Sequence, residues 1–110
     1  MTASKKKLPK TSAEFALLAA ELVGGDRERT HGTKTRNFAN IAAMWNAYLA
    51  IRRDPQAPLD ATDVGQMMQL LKIARTQLGA FNIDDFIDSV GYAACTGEVA
   101  VKANEAADLQ

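Results

Sequence analysis

Apolar side chains recur at helical spacing in four stretches of the chain, separated by segments rich in charge, glycine or proline. In the first stretch Phe15, Leu18 and Leu22 share a face, with Leu17, Ala19 and Val23 beside them. Thr11 followed three residues later by Glu14 is the pattern in which two side chains satisfy the orphan amides of a first turn, and Gly24 and Gly25 supply a stop. A helix over 12–23 is predicted. In the second stretch Phe38, Ile41, Trp45 and Tyr48 form an amphipathic stripe, which predicts a helix over 36–52 that Pro55 and Pro58 bring to an end. Asp60 or Thr62 caps a third helix over 61–78, with Val64, Met67, Met68, Leu71 and Ala74 as its apolar set and Gly79 beyond its end. Asn82 and Asp85 open a fourth, whose buried stripe is expected to be Phe86, Ile87, Val90, Ala93 and Ala94. Gly91 and Gly97 each cost that helix about 1 kcal/mol relative to Ala, so a close helix contact or a break is expected there.

No segment alternates apolar and polar residues over strand length. The expected fold class is therefore all-α, an antiparallel bundle of four main helices. A basic arm over 1–10 precedes a single helical domain over 11–101, and a frayed tail over 102–110 follows it. With 110 residues there is room for one domain, and an apolar fraction of 47% with 24% charged residues excludes a wholly disordered chain. The four methionines, Trp45 and two tyrosines offer more apolar face than one small bundle covers, which points to a homodimer. One cysteine, Cys95, excludes an internal disulfide framework and fits a reducing, cytoplasmic setting. The apolar runs are too short for a membrane span, so no membrane is expected among the partners.

The net charge of zero conceals a gradient: residues 1–36 hold eight basic and four acidic side chains, and the remainder five and nine. Such a front can attract polyanions. The acids Asp26 and Glu28 interrupt the basic loop, however, which argues against nucleic acid as a partner beyond weak binding through arm and loop. Common catalytic motifs such as a Walker loop, a nucleophile elbow and a dinucleotide fingerprint are missing. Three groups of residues have the right chemistry for a site. Asp85 and Asp88, at i and i+3 on one helix, together with Asp63 form a candidate set for magnesium, since a divalent ion offsets the mutual repulsion of carboxylates. Alternatively, Asp84 and Asp85 are ordinary first-turn acids and Asp88 pairs with Lys72 or Arg75. Lys72 and Arg75 either neutralise those acids or grip a phosphate. The 24–36 loop, with Arg29, His31 and Lys34, leads into a helix N-terminus and is a candidate anion-binding surface.

The residues Arg29-Thr-His-Gly, Asn37-Phe38, Ile41, Trp45 and Tyr48-Leu49 resemble a small phage and prophage protein family of unassigned function. Asp63-Val64, Met67-Met68, Leu71-Lys72-Ile73-Ala74-Arg75 and Asp85 through Ala94 extend that resemblance over residues 13–98. It implies a phage or prophage origin and residence in the bacterial host cytoplasm. A more distant likeness is to the all-α, MazG-like nucleoside triphosphate pyrophosphohydrolases, which bind magnesium through two short acidic pairs on neighbouring helices. That likeness implies that Asp85-x-x-Asp88 stands for the second pair and Asp63-Val-Gly-Gln66 for a degenerate first, with Lys72 or Arg75 on phosphate. The expected activity is then magnesium-dependent nucleotide pyrophosphate hydrolysis. The alternative is a non-catalytic phage accessory protein that binds a host or phage protein.

Overall fold

Four α-helices and no strand make up the regular structure of residues 7–24 and 33–108, the part that the computed structural model describes. They are α1 (Ser12–Gly24), α2 (Lys34–Ile51), α3 (Ala61–Arg75) and α4 (Ile83–Asp108). The all-helical expectation therefore holds. The residues of the arm before Lys7, and the loop over 25–32, lie outside the described residues.

Local chemistry sets the helix ends. At α1 the Glu14 amide donates to Thr11 Oγ1 at 3.2 Å, and the Glu14 carboxylate accepts from the Lys10 amide at 3.1 Å, one residue beyond the cap. Thr33 caps α2, so that helix starts two residues before the apolar periodicity predicts. Asp60, rather than Thr62, caps α3, and it does so in a reciprocal pair with Asp63. α3 ends at Arg75, three residues early; Thr76 Oγ1 turns back to donate to the Ile73 carbonyl at 2.6 Å and accepts from the Gln77 side-chain amide at 3.0 Å. Gly79 then takes φ 73°, a conformation that only glycine adopts freely. α4 runs unbroken for 26 residues through Asp108, past the predicted end near Val101, because the 102–108 segment contains good helix formers such as Lys102, Ala103, Glu105 and Ala106.

α3 is the central helix and packs against both α2 and α4. Both pairings are antiparallel. Across the first, Trp45 Nε1 donates to the Met67 carbonyl at 2.7 Å and Tyr48 lies beside Asp63. Across the second, Gly65 lies against Thr96 and Arg75 against Asp85. The glycine expectation is corrected here. A Cβ at Gly91 or Gly97 meets nothing within 4 Å, whereas one at Gly65 overlaps the Thr96 hydroxyl. Gly65 is thus the residue that lets two helices approach, and the helix containing Gly91 and Gly97 neither breaks nor packs closely at those positions.

The core is thin. Ile41, Met67 and Ala74 are its buried apolar members, and among the described residues no large side chain is fully buried. α1 buries nothing: Phe15, Leu18 and Leu22 are all exposed. Phe38, placed with Trp45 and Tyr48 on a buried stripe by its spacing, is 67% exposed while the other two are half-buried.

The largest departure from expectation is α4. Its predicted core stripe faces outward, with Phe86, Ile87 and Val90 all exposed and Val90 at 70%. The side turned to α3 carries Asp85, Tyr92 and Thr96 instead. Periodicity finds an apolar face but cannot say which neighbour covers it.

Candidate functional site

Two polar groups flank α3, one at each end. At its N-terminal end the Asp63 carboxylate receives three donors. Tyr48 Oη donates to Oδ1 at 2.5 Å, Arg52 Nη2 to Oδ2 at 2.9 Å and the Asp60 amide to Oδ2 at 3.0 Å. In return the Asp63 amide donates to Asp60 Oδ1 at 2.9 Å, which closes the cap. Arg52 also donates to the carbonyls of Ala57 and Pro58 at 2.8 and 3.1 Å. A single ion pair, each side chain only 10% exposed, thereby pins the 52–60 connection to the start of α3.

The electrostatics follow from that packing. The Tyr48 hydrogen bond, and then the Asp60 backbone donor, hold the Asp63 carboxyl below its ordinary value. Burial, followed by the hydrogen bond to the anionic Asp63, pushes the Tyr48 hydroxyl up to about 12. Tyr48 therefore stays a proton donor at neutral pH, and Asp63 stays an anion whose lone pairs are already engaged. A hollow of about 660 Å³ lies alongside, lined among others by Tyr48, Arg52, Asp63, Gln66 and Asn104.

The second group lies at the C-terminal end of α3. Lys72 Nζ is 2.9 Å from Asp88 Oδ2, and Arg75 Nε is 3.1 Å from Asp85 Oδ1. The Arg75–Asp85 contact is a charge pair without hydrogen-bond alignment at those two atoms, and the Asp85 side chain is only 4% exposed. Asp88 is 45% exposed, so its pair with Lys72 is partly screened by solvent.

The three candidate metal ligands do not meet. Asp63 sits about 14 Å along the α3 axis from Lys72, the partner of Asp88. Asp85 and Asp88 are neighbours, each beside a cation. Among the described residues no group of three or more His, Cys, Asp or Glu side chains is disposed to hold a metal ion. Of the two readings that the spacing leaves open, the arrangement has Lys72 on Asp88 and Arg75 on Asp85. Lys34 is exposed in the first turn of α2, and Arg29 and His31 lie outside the described residues.

Sequence reasoning missed Tyr48, Arg52, Gly65 and Thr96 as organising residues. Signals existed for some of them: Tyr48 and Arg52 are four apart on one helix face, and Asp60-x-x-Asp63 is a capping pattern. Nothing in the sequence announces that Thr96 sits over Gly65.

Residues 17–100 match the family described as a domain of unknown function, DUF6378. The chain belongs to the DUF6378 family. Two relatives of this DUF6378 chain are phage proteins. The Gene 55 protein of Mycobacterium phage D29 is 32% identical over 81 residues, 74% of this chain and 50% of the relative. The Gene 55 protein of Mycobacterium phage L5 is 36% identical over 76 residues, 68% of this chain and 45% of the relative. The DUF6378 chain thus spans about half the length of these relatives. No solved structure matches it. Among the described residues no helix is long and apolar enough to cross a membrane.

Proposed function

We propose that this chain is a non-catalytic accessory protein of phage origin, built as a self-associating helical scaffold, with a second copy covering apolar faces that one copy leaves open. The observation that carries the reading is apolar exposure: among the described residues Phe15, Leu22, Phe38, Ile87 and Val90 are all more than half exposed, while the buried apolar core is Ile41, Met67 and Ala74. The charged groups along α3 are turned inward on one another, which suits a structural part better than a reaction centre. Phage origin is supported by the mycobacteriophage relatives. Sedimentation equilibrium tests the reading: a particle of at least twice 11.9 kDa is expected at micromolar concentration, and an 11.9 kDa particle at every concentration contradicts it.

A second reading, nucleotide handling, draws on Lys72, Arg75, Asp85 and Asp88 facing one another across α3 and α4. A magnesium ion shared by Asp85 and Asp88 would release both cations toward a phosphate, and magnesium commonly binds with few carboxylates and a phosphate-bearing ligand. The fit is partial, because both carboxylates already have charge partners. This reading requires that magnesium with a nucleoside triphosphate raise the melting temperature, since a ligand selective for the folded state must do so. No shift with any of the eight common NTPs and dNTPs, and no pyrophosphate release, removes it.

A further inference from the structure

We infer that the outward face of α4 is a self-association seam, on which α4 of a second copy packs antiparallel about a two-fold axis near Tyr92. The inference rests on the self-association reading and adds the face, the direction and the register. Ile83, Ile87, Val90, Ala94, Gly97 and Val101 follow one another in alternating steps of four and three residues. That is the a/d repeat of a coiled-coil seam. All six are exposed, at 55, 59, 70 and 57% for Ile83, Ile87, Val90 and Val101. They lie on the side of α4 opposite Thr96 and Asp85, which face α3. One side of the helix is therefore spent on the chain's own packing, and the other carries an unbroken apolar line.

Side-chain size fixes the direction. In an antiparallel pair centred near Tyr92, Ile83 meets Val101, Ile87 meets Gly97 and Val90 meets Ala94 of the second copy. Ile83, Ile87 and Val90 each find a smaller partner, so the layers fill more evenly than in the parallel alternative. A parallel pair in register instead sets Ile87 on Ile87 and Gly97 on Gly97, crowding one layer and leaving a void in another. The open space around Gly97 and the neighbouring Gly91, where an added Cβ meets nothing, admits the opposing helix closely. Charge agrees with the same register. Asp84 and Lys102 lie on one flank of the seam near its two ends, so each faces its opposite on the second copy, twice by symmetry. Within one chain Lys102 has only a loose, exposed contact with Glu98 at 3.7 Å, which leaves it available. A second copy supplies an identical complementary stripe, which makes it the occupant that the pattern specifies.

Site-specific cross-linking tests the register. In a Cys95→Ser background, Val90→Cys and Ala94→Cys chains are prepared separately and also co-refolded as a mixture, then oxidised. The mixture is expected to form disulfide-linked dimers at least tenfold faster than either variant alone, because like positions are offset by about 6 Å along the axis. Each variant cross-linking alone as fast as the mixture overturns the antiparallel register. A particle of twice 11.9 kDa that cross-links in neither format overturns the α4 seam and leaves self-association standing. A monomer that retains its helical circular dichroism overturns both.

Discussion

The two faces of α4 reverse the usual order of a small helical protein. The face turned to α3 is polar: Asp85 lies on Arg75, Asp88 on Lys72, and the Thr96 hydroxyl lies over Gly65 while donating to the Tyr92 carbonyl at 2.6 Å. The face turned to solvent is an apolar repeat. Contacts inside the chain thus specify geometry through charge pairing and close approach, and contribute less from area burial. The inner face fixes the shape of one copy, and the outer face leaves its apolar side chains open.

The comparison breaks most readily at the other end of α3. Asp63→Ala strands Arg52 in a largely buried site and is expected to cost about 3–5 kcal/mol, read as a loss of urea midpoint. A change below 1 kcal/mol would mean that the clamp is ornamental. Gly65→Ala pushes a methyl group into Thr96 and should cost about 1–3 kcal/mol, part of which Thr96→Ala restores in the double variant. Additive losses would show that α3 and α4 do not touch there. Tyr48→Phe removes one donor from the Asp63 carboxylate and is expected to lower stability by about 1–2 kcal/mol.

That third variant also sharpens the pH behaviour. Asp63 has a lowered folded pKa, so its contribution is present above 3.8, its ordinary value, and is lost as pH falls through the lowered one. Tyr48 has a raised folded pKa, so its contribution is complete below 10.0 and is lost as pH rises toward about 12. Tyr48→Phe should flatten the alkaline limb of a stability–pH curve and weaken the acid one; an unchanged alkaline limb contradicts the assignment. The smallest effect is expected from Lys72→Ala, at most about 1 kcal/mol, because its partner Asp88 is half open to water.

Much of the fold was legible because helix signals are local. The Thr11/Glu14 start, the Asp60 cap and the Gly79 turn depend on residues within one turn of each other. The side that each stripe faces was not legible. Phe86, Ile87 and Val90 read as core by spacing, and they are core only if a second helix outside the chain is counted. The site was legible only in part: the partner of Asp63, Arg52, comes from another helix end and a connection with two prolines, and nothing in the sequence marks that pair. The pairing of Asp88 with Lys72 is one of the two readings that the spacing leaves open, because acid and base stand as candidates on adjacent helices.

The α4 seam requires the outer face of α4 to be an interior surface in solution. The most direct measurement is the melting temperature as a function of protein concentration, for the natural chain and for Ile87→Asp. Because association stabilises the folded state by mass action, the natural chain should melt progressively higher over a hundredfold rise in concentration. Ile87→Asp should fold, melt lower and show no such dependence. A natural chain whose melting temperature is flat across that range, or an Ile87→Asp chain that tracks it point for point, contradicts the account.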